Sequence, residues 1–103
     1  MTEINSRQRR FLEKAAHNLA PVVIIGGAGA TEGVISMADK SLASHELIKI
    51  KFNEFKDEKQ ELTEKIREAC SAVTVRIIGN VAILFRQAEK EEDRIYKLPI
   101  KLA

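Results

Sequence analysis

The chain has 103 residues, 45% apolar and 31% charged, with a net charge of +2 and one cysteine. Those totals describe one ordinary globular domain able to bury its own core, and they exclude an internal disulfide or a multi-cysteine metal site. No apolar run approaches the roughly 20 residues of a membrane helix, and the opening MTEINSRQRRFLEK lacks the basic-then-apolar order of a secretory signal, so the expectation is a cytoplasmic protein with no membrane partner.

From Ser6 to Leu19 the apolar residues Phe11, Leu12, Ala15, Ala16 and Leu19 recur at helical spacing, with Arg7, Arg10, Lys14 and Asn18 opposite. The pattern predicts an amphipathic helix with a basic outer face, capped by Ser6 and stopped before Pro21. Val22 to Ile25 is short, β-branched and continuous, which predicts a central strand covered on both faces and parallel to a neighbour. Gly26-Gly27-Ala28-Gly29 then turns the chain into a second amphipathic helix, with Thr31 as N-cap and Val34, Ile35, Ala38 and Leu42 as its buried stripe to about Ala43.

Leu47 to Phe52 alternates Ile48, Ile50 and Phe52 with Leu47, Lys49 and Lys51, a strand with one buried and one wetter face. A charge-rich helix from about Asp57 to Cys70 follows, its narrow stripe formed by Leu62, Ile66, Ala69 and Cys70. Its cations Lys56, Lys59, Lys65 and Arg67 alternate with acids, as local pairing and solubility require. Val73 to Ile78 and Val81 to Arg86 are strands joined at Gly79-Asn80, a two-residue hairpin connection. The cluster EKEEDR, 89–94, is a solvated break, and IYKLP adds a short extension before a frayed end. The order α-β-α-β-α-β-β predicts a small mixed four-stranded sheet with helices packed on it. The fold class is α/β, or α+β on a stricter definition, as one domain over 1–103 with its core in 6–86 and a C-terminal extension in 87–103.

Catalytic chemistry finds little support. Thr31 with Glu32 is explained by helix capping, His45-Glu46 opens a strand with no second group indicated, and Cys70 falls on an apolar stripe. His17 and His45 lack ligand spacing. The expectation is a protein that is not an enzyme and has no metal, cofactor or small-molecule substrate. The glycine turn is more informative. A nucleoside-triphosphate loop is excluded because no lysine follows Gly33, and a dinucleotide fingerprint fails because Glu32 stands where a glycine or alanine is required. What remains is a G-x-x-G turn whose backbone N–H groups can meet phosphate, or a purely structural bend.

The line AHNLAPVVIIGGAGATEGVI, then SHELIKIKF, then VRIIGNVAILFR, resembles the CRM domain family, the chloroplast RNA splicing and ribosome maturation fold, in its single-domain bacterial form. Its most specific parts are the turn running into Thr31-Glu32-Gly33-Val34 and the His45-Glu46-Leu47-Ile48-Lys49 segment. The resemblance implies an RNA-binding domain similar to the C-terminal domain of translation initiation factor three, associated with precursors of the large ribosomal subunit. It places RNA contact at Gly26, Gly27, Ala28 and Gly29, with Thr31 and Glu32 opening the supporting helix. Ala20, the Gly27-Ala28 pair and Asn80 stand where family members often carry basic or polar residues, so the loop has lost charge.

Phosphate neutralisation must then come from nearby cations. Arg7, Arg10 and Lys14 share one helical face, with Arg9 close by, and Lys49, Lys51 and Arg76 alternate outward on strands, forming a basic sheet surface if those strands lie side by side. Arg86 ends its strand and is expected to reach the same surface. The alternative readings are an ordinary solvated helix face and strand lysines that guard against aggregation. Phe11, Phe52 and Phe85 are expected in the core, while Phe55 and Tyr96 are candidates for exposure without a matching partner. The expected partner is ribosomal RNA of the immature large subunit, bound by a monomer through shape and backbone. The alternative is a docking module for ribosomal proteins in which the glycines are only structural.

Overall fold

Helix α1 (Ser6–Ala16) starts where a side chain can replace the missing backbone partners. That residue is Asn5 rather than Ser6: its Oδ1 accepts the Gln8 N–H at 2.8 Å, and Gln8 Oε1 accepts the Asn5 N–H at 2.9 Å, a reciprocal capping box. The computed structural model describes residues 3–99. After α1 come β1 (Val23–Ile25), α2 (Glu32–His45), β2 (Leu47–Phe52), α3 (Lys59–Cys70), β3 (Val73–Ile78) and β4 (Val81–Phe85), with 3-10 turns at Lys56–Glu58 and Glu91–Asp93. Thr31 caps α2 as expected, its Oγ1 accepting the Val34 N–H at 3.2 Å. The helix α1 ends at Ala16, short of Leu19. Among the described residues no helix is long and apolar enough to cross a membrane.

The sheet is mixed and four-stranded in the order β1-β2-β4-β3, with β1 parallel to β2 and both other pairs antiparallel. The parallel pairing of β1 agrees with its sequence pattern, but its expected central place does not. It is an edge strand, and Ile24 on it is 54% exposed. A continuous β-branched run therefore marks coverage on one face here, with Val23 and Ile25 inward and Ile24 outward.

Each sheet face has its own core. On one side α2 and α3 close over Val23, Ile25, Ile48, Ile50, Phe52, Ala82 and Leu84 with Leu42, Ile66 and Cys70. On the other, α1 covers Leu47, Val73, Val75, Ile83 and Phe85 with Leu12 and Ala16. Phe52 and Phe85 are fully buried as expected, but Phe11 is exposed on the outside of α1.

The C-terminal extension adds to the second core. Tyr96 and Leu98 pack against it, and the Tyr96 ring meets Phe85 edge-on at 6.4 Å. The buried carboxylate of Glu46 holds this segment, accepting the N–H groups of Ala88 at 2.6 Å, Ile95 at 2.8 Å and Tyr96 at 3.0 Å. Glu46 has φ of 62°, a conformation that disfavours side-chain-bearing residues, so its carboxylate rather than its backbone preference accounts for a glutamate there. The expected frayed end past Pro99 lies outside the described residues.

Candidate nucleic-acid interface

The glycine turn leaves the C-terminal end of β1, where the Ile25 carbonyl accepts N–H groups from Asn53 and Glu54 at 3.0 and 3.2 Å. The Gly29 N–H then donates to the Gly26 carbonyl at 3.0 Å, and the Thr31 N–H to the Gly29 carbonyl at 3.1 Å. So the turn closes on itself at its base, while its tip stays open. Among the described residues nothing accepts the N–H groups of Gly27 and Ala28, and both residues are exposed.

The glycines of the turn do different work. Gly29 is buried and has φ of 73°, a conformation that glycine adopts without strain, so the backbone of the fold favours glycine there, while a Cβ would make only an ordinary contact with the Phe55 ring at 3.5 Å. Gly27 has no positive φ, and a Cβ on it would meet nothing within 4 Å. Neither backbone conformation nor internal space explains a glycine there. Phe55, which stands against Gly29, has φ of 55° and is 41% exposed.

Residues paired across neighbouring strands point to the same face, so the register lays out the α1 side of the sheet. Ile24 is opposite Lys51, Lys51 opposite Val81, and Val81 opposite Ile78. The row behind it holds Lys49, Ile83 and Arg76. Lys49 and Arg76 do not sit on adjacent strands, because β4 lies between β2 and β3, yet both belong to this one face. Helix α1 meets the sheet at this second row: Glu13 bridges Arg76 at 2.9 Å, and Lys49 Nζ donates to the His17 carbonyl at 3.3 Å. Arg76 is therefore partly neutralised and Lys49 is half-buried, whereas Lys51 is exposed.

Glu13 and His17 share a shallow groove with Arg10 and Lys14. Arg7, Arg10 and Lys14 are exposed, and no described acid pairs with any of them. Arg9, grouped with them by sequence, is spent on the fold. Its guanidinium donates to the carbonyls of Thr74, at 2.8 Å, and Val75, where β3 is bulged and its ladder is interrupted.

Arg86 does not reach this surface. Its Nη1 donates to Asp39 Oδ1 and to the Cys70 carbonyl, both at 2.7 Å, and Nη2 to the Asp39 carbonyl at 3.0 Å, tying α2 and α3 together on the other face of the sheet. The Cys70 thiol is pushed up by burial and by Asp39, with Arg86 opposing, and donates to the Ile35 carbonyl at 3.6 Å. It is a neutral core group. The lysines of α3 also have specific uses that charge alternation hid: Lys59 donates to the Gly79 carbonyl at 2.6 Å and Lys65 to the Ala30 carbonyl at 3.3 Å, bracing the hairpin turn and the loop before α2. Only Arg67 behaves as the local-pairing reading expects, with Glu64, whose carboxyl it holds below the ordinary range.

With this geometry in view, the likenesses are specific. Residues 4–86 match the CRS1 / YhbY (CRM) domain. The chain is 38% identical over 91 residues to an RNA-binding protein of Haemophilus influenzae, covering 87% of this chain and 92% of that one. It is 35% identical over 102 residues to a probable RNA-binding protein of Methanocaldococcus jannaschii, covering 96% and 75%. A Staphylococcus aureus protein with a solution structure superposes at a TM-score of 0.76 and 33% identity, over 94% of this chain and all of that one.

Proposed function

The chain belongs to the CRS1 / YhbY (CRM) domain family, and from that premise we propose that it binds RNA through the glycine turn and the basic outer stripe of α1. The observation that carries this reading is the open tip of the turn: two exposed N–H groups, Gly27 and Ala28, with no acceptor among the described residues, and a glycine at 27 that the fold itself does not require. With no side chain on Gly27 and only a methyl group on Ala28, the tip lets a phosphate oxygen approach two donors at once, the use to which G-x-x-G turns are suited. Gly26 and Gly29 shape that tip by closing its base, and Thr31 anchors α2 behind it. Arg7, Arg10, Lys14 and Lys51 supply the charge, each phosphate contact releasing counterions.

The RNA is ribosomal, in precursors of the large subunit, and the protein acts there as an assembly factor; the family resemblance supports this and the relatives' names support RNA as the partner class. The competing protein-docking reading, with structural glycines only, separates cleanly in a binding assay on protein-free ribosomal RNA. Gly27→Asp leaves the fold intact because its side chain meets open space, and it places a carboxylate at the tip. Its affinity should fall about tenfold or more. Gly29→Asp is the poorer test, since the positive φ of this buried position would strain any side-chain-bearing residue and disturb the fold as well. Undiminished binding by Gly27→Asp, or wild-type binding that ignores salt, would refute the proposal.

A further inference from the structure

The row Ile24–Lys51–Val81–Ile78 runs across all four strands and lies beyond the reach of α1. Ile24 is 54% exposed and Ile78 51%, and Val22, which borders the row beside Lys49, is 43% exposed, so the strip and its border hold three of the large apolar side chains that the protein leaves exposed. At usual strand spacing it is about 14 Å wide. One end adjoins the glycine turn, which begins two residues after Ile24, and the other adjoins the Gly79-Asn80 hairpin, held in place by the bond from the Phe52 N–H to the Asn80 carbonyl at 2.7 Å. Nothing about folding calls for aliphatic residues on this open face, where alternation would ordinarily place polar ones.

We propose that this strip is a platform for unpaired bases, so that the RNA bound by the protein is single-stranded where it crosses the sheet. The inference rests on the RNA-binding reading above and specifies which form of RNA it takes. A duplex presents phosphates and hydroxyls outward and offers an aliphatic surface nothing to cover, whereas a splayed strand presents base faces. The charge pattern fits the same occupant. Lys51 stands in the middle of the row, and Lys49 and Arg76 lie in the row behind it, Lys49 bonded to the His17 carbonyl and Arg76 to Glu13. Phosphates held by Lys51 and by the open tip of the glycine turn would set the connecting bases down on Ile24, Val81 and Ile78. A second copy of the chain is a poorer occupant. A two-fold contact through this row would bring Lys51 toward its own mate and gather Lys49 and Arg76 around it.

The test compares a short uridine-rich oligoribonucleotide with a blunt RNA duplex of the same length, using the full chain. The wild type should bind the single strand more tightly. The double variant Ile24→Ser, Ile78→Ser, altered only at exposed positions, should lose about tenfold in single-strand affinity while keeping its duplex affinity and its salt dependence. Lys51→Gln should instead flatten the salt dependence by about one phosphate contact. Equal loss on both RNAs, no loss on either, or a wild-type dimer in sedimentation equilibrium that the double variant abolishes would overturn the platform and leave the RNA-binding reading standing. Wild-type binding to neither RNA would overturn that reading itself, and the platform with it.

Discussion

The two faces of the sheet are built to different standards of closure. Under α2 and α3 the strands are covered along most of their length, and even a cation that sequence alone would send to a ligand, Arg86, is bound to Asp39 and the Cys70 carbonyl, although the buried Thr63 hydroxyl has no hydrogen-bond partner among the described residues. Under α1 the covering stops part way. Leu47, Phe85 and Val73 are sealed, the next row, Lys49 with Ile83 and Arg76, is held by an ion pair and one lysine bond, and the row after that is open. Arginines and a lysine line the edge of the cover without acidic partners. Both faces bury a core, but only the α1 face also leaves a row of aliphatic side chains and unpaired cations exposed beside it.

That contrast can be tested by substitutions whose consequences should differ in kind. Phe52→Ala empties the centre of the sealed face and should cost about 3–5 kcal/mol in urea unfolding, close to the whole stability of a small domain. Glu46→Ala removes the acceptor of three backbone N–H groups and should cost about 2–3 kcal/mol. In that variant amide exchange at Ala88, Ile95 and Tyr96 should accelerate ahead of the sheet, because only the C-terminal extension is released. Arg86→Gln should cost about 1–2 kcal/mol and leave the salt dependence of RNA binding as it was. If that variant flattens the salt dependence, the division between the faces is wrong. Arg10→Gln and Lys14→Gln should change stability by less than about 0.5 kcal/mol, and each should reduce the number of released counterions by about one.

Much of this architecture could be read from residue order. Helical spacing located α1, α2 and α3, Thr31 announced the start of α2, and alternation in Leu47–Phe52 separated its two faces. What escaped had physical reasons. Val22 to Ile25 looks like a strand covered on both sides because exposed aliphatics that serve a surface have the same residue types as buried ones. The role of Arg9 depends on a bulge in β3, a matter of register between strands that are distant from it in sequence. Glu46 holds the extension through a backbone conformation that no spacing encodes, and Arg86 is claimed by Asp39, 47 residues away. In the turn, the G-x-x-G pattern located the bend but could not tell Gly29, favoured by its positive φ, from Gly27, which has none.

The most direct measurement is a backbone amide titration by NMR, adding single-stranded RNA to the full chain and following every N–H resonance. Perturbations are expected at Gly27, Ala28, Lys51 and Ile78, and along the Arg7, Arg10 and Lys14 stripe, with the α2 and α3 face around Asp39, Leu42 and Arg86 unmoved. Perturbations centred on α2 and α3, with the glycine turn silent, would contradict the proposed interface.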